Sequence, residues 1–189
     1  MHEPLQRTLF DVVSFLDAER IPYALIGGLA VSLRGQPRMT ADVDMVILAD
    51  VPRSLALVQA LEGTNFKPLF DGVAEVVQKA FILPLRHRTT NVKVDLALGL
   101  SGFERQAMAR AEKLQLAGVS ISVVTAEDLL MMKVLAGRPQ DDQDIQGLMI
   151  AQGRRLDWNY CLQLAVELGE ALGQDLATRI ATLQIKSGP

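Results

Sequence analysis

Cysteine and histidine are nearly missing from this chain of 189 residues, which has one Cys and two His. The lone Cys161 excludes an intrachain disulfide and any cysteine-based zinc site. It lies in "WNYCLQLAVELGEAL", an amphipathic helical pattern, where a thiol packs as a small hydrophobe. With only His2 and His87, the sequence gives little support to a histidine-built metal centre or catalytic triad. No apolar run approaches membrane-spanning length. The N-terminus "MHEPLQRTLFDVVSFLDAER" has no basic segment leading into an apolar core, so it does not read as a signal peptide. No Pro-, Ser- or Gln-rich tract and no internal repeat is present. The expectation is a cytoplasmic protein without a membrane partner. A formal charge of −3 argues against indiscriminate nucleic-acid binding but leaves room for a small local basic site.

What remains is an ordinary globular composition, 49% hydrophobic and 22% charged, long enough for one substantial core or a core with a helical extension. Leu5, Leu9, Val12, Val13 and Leu16 repeat at helical spacing over residues 4–19. "IPYALIGG" reads as a turn and a short buried strand ending at Gly27-Gly28. "LAVSLRG" resumes helical spacing, and "DVDMVIL" is a second strand. A helix is expected over "SLALVQALEG", with further strands at "AFILPL" and "VKVDLALG". Pro84 belongs at a strand end or edge because it cannot donate a ladder hydrogen bond. "FERQAMARAEKLQL" reads as helix and "VSISVV" as strand. From Thr125 the pattern is helical almost to the end, opening on a capping-box-like "TAED" and pausing at Gly137 and Pro139. The division is a mixed α/β core over 1–124, with its N-terminal helix, and a helical C-terminal part over 125–189 packed on that core.

Two oddities stand in "LIGGLAVSLRGQPRMTADVDMVI". Strand side chains alternate, so Asp42 and Asp44 share a face, in a segment whose continuation "MVIL" is wholly apolar. Solvated aspartates on an edge strand and a metal site both fit that local pattern. Asp95, between apolar neighbours in "VKVDLALG", shifts the balance. If its strand adjoins the first, three hard carboxylates converge, which suits Mg²⁺ or Mn²⁺ and phosphoryl or nucleotidyl transfer. The glycine pair allows close approach of a ligand to the backbone, and the following helix offers free N–H groups to an anion. A tight turn alone would also explain it; the combination with the aspartates points to one shared site.

"IGG", thirteen intervening residues, "DVDM" and a later "VDL" resemble the signature of the polymerase-β-like nucleotidyltransferase superfamily. "GGLAVSLRGQPRMTADVD", with its R-x-T-x-D-x-D, and "TAEDLLMMKVLAGRPQDDQDI" are similar to the bacterial branch around AbiEii-type toxins and related small nucleotidyltransferases. The resemblance implies an α/β (α+β) fold with a mixed sheet flanked by helices. It also implies Mg²⁺ (or Mn²⁺) held by Asp42, Asp44 and Asp95, the last as ligand or general base. It places an NTP at Gly27 and Gly28, with Arg38, Thr40 and Lys133 near its phosphates. The implied activity is transfer of an NMP from an NTP to a hydroxyl acceptor (tRNA, protein or small molecule) with release of pyrophosphate. A toxin-like enzyme with a cognate antitoxin is the expected setting. An antibiotic adenylyltransferase and a non-catalytic nucleotide-binding or interaction protein are the alternatives.

Among the lesser candidates, a solvated or Asp141-, Asp142- or Asp144-paired Lys133 competes with the phosphate role. Arg138 and Asp144 are expected to pair across two helices. "RHRTT" reads as a polar turn in which Arg86, His87 and Arg88 could guide an anionic acceptor, with Arg34 and Arg38 as further contacts for RNA. Trp158 and Tyr160 read as packing anchors, as do Met131 and Met132.

Overall fold

The computed structural model describes residues 1–187, which divide into two compact units. The first comprises residues 1–29 and 39–124; the second comprises 30–38 and the chain from 125 onward. Residues 30–38 group with the helical C-terminal part because that short stretch lies on it. A Cβ on Gly35 would stand 3.1 Å from the Leu148 backbone nitrogen, and Gln36 lies against Gly147.

The first unit is built on a seven-stranded mixed sheet of order β3-β4-β5-β2-β1-β7-β6. Its strands are β1 (Tyr23–Ile26), β2 (Asp42–Ile47), β3 (Phe66–Pro68), β4 (Ile82–His87), β5 (Lys93–Leu98), β6 (Glu112–Leu116) and β7 (Val119–Val123). β2 runs parallel to β5 and antiparallel to β1, while β1 runs parallel to β7. Helix α1 (Glu3–Ala18) buries Leu5, Leu9, Val12, Val13 and Leu16, the stripe its spacing announces. It covers the face carrying Val43, Met45, Val94, Leu96 and His87, as the contacts of Phe15 with Phe66 and of Asp11 with His87 show. Helices α3 (Val51–Gln59), α4 (Val73–Ala80) and α5 (Gly102–Arg110) complete this unit.

Three local expectations give way here. The segment "EKLQL" is a strand, not the end of a helix: α5 stops at Arg110 and Ala111 turns to φ −58°, ψ 140°. β6 then forms a hairpin with β7 through Ala117-Gly118, both at positive φ, the backbone a two-residue turn needs. Pro84 lies inside β4 rather than at its end. It is tolerated because its carbonyl faces β3 and accepts from Leu69 N, so its missing N–H also points that way, beyond the end of that short strand. His87 is not in a polar turn but fully buried at the end of β4. Its Nδ1 accepts from the Thr89 and Thr90 amides, so the proton sits on Nε2 and is donated to Asp11 at 2.8 Å.

The second unit contains α6 (Ala126–Ala136), α7 (Pro139–Gln152), a short 3₁₀ turn, α8 (Trp158–Leu172) and α9 (Leu176–Lys186). α2 (Gly27–Arg34) runs from one unit into the other. Thr125 caps α6 by accepting from Asp128 N, and its hydroxyl donates to the Asp128 carboxylate at 2.8 Å. Tyr160 donates its phenol to the other oxygen of Asp128, which makes it a packing anchor with a polar tie. α6 ends at Gly137 in a left-handed cap. Cys161 is buried. Among the described residues, no helix is long and apolar enough to cross a membrane.

Candidate active site

The acids of β2 and β5 fall on one face of the sheet. Asp44 is the register partner of Asp95, and Asp42 that of Lys93, so these four side chains share a side while Val43, Met45, Val94 and Leu96 fill the other. The α1-covered side is fully buried. On the opposite side Asp42, Asp44, Lys93 and Asp95 are only partly covered, and the Asp95 side chain is 23% exposed. The strand aspartates therefore stand at the partly exposed end of this face, whose continuation at Ala24 and Val46 is buried.

Gly27 answers the glycine question. It follows Ile26, the register partner of Asp44, and has φ +65°. A Cβ there would lie 2.0 Å from Asp44 Oδ2, a contact no side chain can make. Glycine is needed twice over, for its left-handed backbone and for the carboxylate resting on its Cα. The carboxylate thus lies at the start of α2, whose first turn has no acid of its own, where helix polarity favours negative charge. Gly28 follows, buried in the same first turn.

Thr40 donates to Asp42 Oδ1 at 3.0 Å, which orients the first acid of the pair. Asp95 is held differently. Lys93, two residues earlier on the same face, places its ammonium 2.5 Å from Asp95 Oδ2. Asp95 Oδ1 is shielded from water and has no hydrogen-bond partner. Lys93 is the member of this group that sequence reasoning missed; its signal was the K-x-D spacing on one strand face.

Among the described residues, no three His, Cys, Asp or Glu side chains are gathered closely enough to form a metal cage unaided. The donor set nevertheless fits a hard divalent cation. It consists of carboxylate oxygens only, two of the acids are register partners on adjacent strands, and one oxygen of Asp95 is buried and unsatisfied.

Arg38 and Lys133 both lie in the second unit. Lys133 is buried in α6, with its ammonium 3.0 Å from Asp141 Oδ1 and 2.8 Å from Asp144 Oδ2. Arg38 donates from Nη2 to Asp144 Oδ2 at 3.0 Å. Arg138 pairs with Asp141 rather than Asp144, through Nε at 2.8 Å and its own backbone N–H at 3.0 Å. It caps the first turn of α7, which brings Asp141 within reach and leaves Asp144, one turn on, to Arg38 and Lys133. Burial alone would raise the Asp141 pKa. The hydrogen bonds from Arg138 and Lys133 outweigh it and hold the carboxyl well below the usual carboxylate range.

Solved structures with this fold include a lincosamide antibiotic adenylyltransferase, LnuA, bound to lincomycin, at 16% identity and a TM-score of 0.53 over 75% of this chain and 94% of that one. ANT(2")-Ia in complex with adenylyl-2"-tobramycin is similar at 14% identity and a TM-score of 0.56, over 93% and 96% of the two chains. An antigenic nucleotidyltransferase-like protein from Paracoccidioides brasiliensis matches at 21% identity and a TM-score of 0.53, over 89% and 90%. No curated protein is significantly similar in sequence. The family described as "Nucleotidyltransferase of unknown function (DUF6036)" matches residues 7–186, nearly the whole chain, and the protein belongs to that nucleotidyltransferase family.

Proposed function

We propose that the open sheet face is the active site of a divalent-metal-dependent enzyme that moves an NMP from an NTP to a hydroxyl acceptor. The observation that carries this reading is the register of Asp44 with Asp95 on that face, with Gly27 shaped to lie under the Asp44 carboxylate. The acceptor oxygen attacks the α-phosphorus, the bond to the bridging α–β oxygen breaks, and pyrophosphate departs. The acceptor proton goes to a carboxylate oxygen of Asp95 or to water. Asp42, Asp44 and Asp95 would hold Mg²⁺ or Mn²⁺, which when bound offsets the charge that builds on the phosphate oxygens. Gly27 and Gly28, at the start of α2, would let the triphosphate approach the backbone closely. Thr40 orients Asp42. Arg38 and Lys133, expected near the phosphates, would act there from their pairs with Asp144 and Asp141.

The motif around Arg38, Thr40, Asp42 and Asp44 supports a toxin-like setting, close to the AbiEii branch, in which a cognate antitoxin would restrain an enzyme acting on RNA or protein. The fold shared with LnuA and ANT(2")-Ia supports a second reading, adenylyl transfer to an antibiotic. Pyrophosphate release is the test, measured with each NTP and Mg²⁺ or Mn²⁺ against tRNA, protein and antibiotic acceptors. Wild type should turn over and Asp44→Ala should not. Nucleotide binding without pyrophosphate across that panel would instead make the chain a binding protein.

A further inference from the structure

The open face carries a second row of charge that the reaction chemistry does not use. Lys67 on β3 is the register partner of Arg86 on β4, Arg86 that of Lys93 on β5, and Lys93 that of Asp42 on β2. Register partners project to the same side, so Lys67 and Arg86 extend the face of the acids outward to the sheet edge. With strands about 4.8 Å apart, the row from Lys67 to Lys93 spans about 10 Å. Lys93 is neutralised by Asp95. Arg86 donates to the Asn91 carbonyl and amide oxygens, which are uncharged, and among the described residues no carboxylate pairs with it. Lys67 is exposed. Arg88, one residue past β4, adds a further cation bound only to the Thr64 carbonyl. No acidic side chain interrupts the row before Asp42.

Position decides what such a row serves. In the sheet order the acids of β5 and β2 stand in the middle, with the glycine turn after β1 on one flank and Lys67 and Arg86 on the other. If the triphosphate lies on the glycine flank, the cationic flank receives the acceptor. Cations repel a polycationic aminoglycoside and attract a phosphate backbone. We infer that Lys67 and Arg86 form a docking row for a single-stranded nucleic-acid acceptor, whose phosphates cross β3 and β4 and deliver its hydroxyl to the acids. This rests on the nucleotidyltransferase reading and names its acceptor class.

Fluorescence anisotropy with a labelled polyuridine strand of about 12 nucleotides tests it. The full chain should bind the strand. The pair Lys67→Glu with Arg86→Glu should weaken binding at least about tenfold and flatten the dependence of log K on log salt by about 1.4, the value for two lost phosphate contacts on a single strand. The pair Lys67→Arg with Arg86→Lys should keep both. No binding by wild type, or equal binding by the charge-reversed pair, overturns the inference. So does competition by polyglutamate as effective as by unlabelled polyuridine. An equal loss of NTP-induced thermal stabilisation in the charge-reversed pair would assign the row to the triphosphate and also overturn it. Absence of that stabilisation in wild type would remove the enzymatic reading while leaving the strand-binding result intact.

Discussion

Asp95 and Asp144 are each beside a lysine ammonium, yet the two surroundings are opposite in kind. Asp144 is buried to 1% exposure on α7 and meets Lys133 and Arg38, while neighbouring Asp141 takes Lys133 and Arg138. Each carboxylate there has two cations against it, and the network closes on itself. Asp95 sits on an open face with one cation on Oδ2 and a shielded Oδ1 that meets nothing. Buried charge is tolerated only when it is paired and hydrogen-bonded. The paired cluster therefore ties α6 to α7, whereas the Asp95 oxygen without a cation is where our proposal seats an ion.

The sharpest way to break this contrast is to remove a partner from the closed network. Lys133→Met should destabilise the protein by about 3–5 kcal/mol, because two buried carboxylates lose a shared cation. Urea denaturation measures this; an unchanged midpoint with a raised KM for NTP would make Lys133 a nucleotide ligand instead. Gly27→Ala acts on the open site, where it forces a left-handed alanine and a clash with Asp44. It should cost about 1–3 kcal/mol and abolish turnover, whereas the same change at exposed, unhindered Gly63 should cost only the backbone part.

Acid separates the regions without mutation. The Asp141 pKa is depressed on folding, so its contribution is fully present above the ordinary carboxylate value of 3.8 and is lost as pH falls below it. Denaturation midpoints should drop below about pH 4 in wild type and less steeply in Asp141→Asn. At the alkaline end, burial and the nearby Asp17 push the Tyr23 phenol up to about 12. Its contribution is intact below pH 10 and lost between 10 and 12, and Tyr23→Phe should remove that decline. The smallest expected effect is at Lys93. Removing the ammonium from Asp95 by Lys93→Met should lower the half-saturating Mg²⁺ concentration by roughly threefold, read from pyrophosphate release, since a competing cation is gone.

The same contrast explains what could be read from the chain. Alternation made Asp42, Asp44 and Asp95 legible, because period-two burial is local and an aspartate within it is conspicuous. The Gly27 contact was legible as a close approach, though what approaches is the chain's own Asp44 carboxylate. Partners set by strand order were not legible. The meeting of His87 with Asp11, the row from Lys67 to Asp42, and the choice of Asp141 over Asp144 by Arg138 depend on elements far apart in sequence. β6 escaped because "EKLQL" follows a good helix with no Gly or Pro between, and Ala111 alone makes the break. The cap at Thr125, the end at Gly137 and the buried Cys161 needed only neighbours, and the sequence sufficed for them.

Calorimetric titration of the protein with Mn²⁺ in the presence of a non-hydrolysable NTP tests the central claim most directly. The open-face acids, and not the closed network, should be what receives the ion. Wild type and the network variant Asp141→Asn should bind alike, with Asp44→Asn and Asp95→Asn each weaker by more than about tenfold. Equal affinity in Asp44→Asn and wild type would contradict the account.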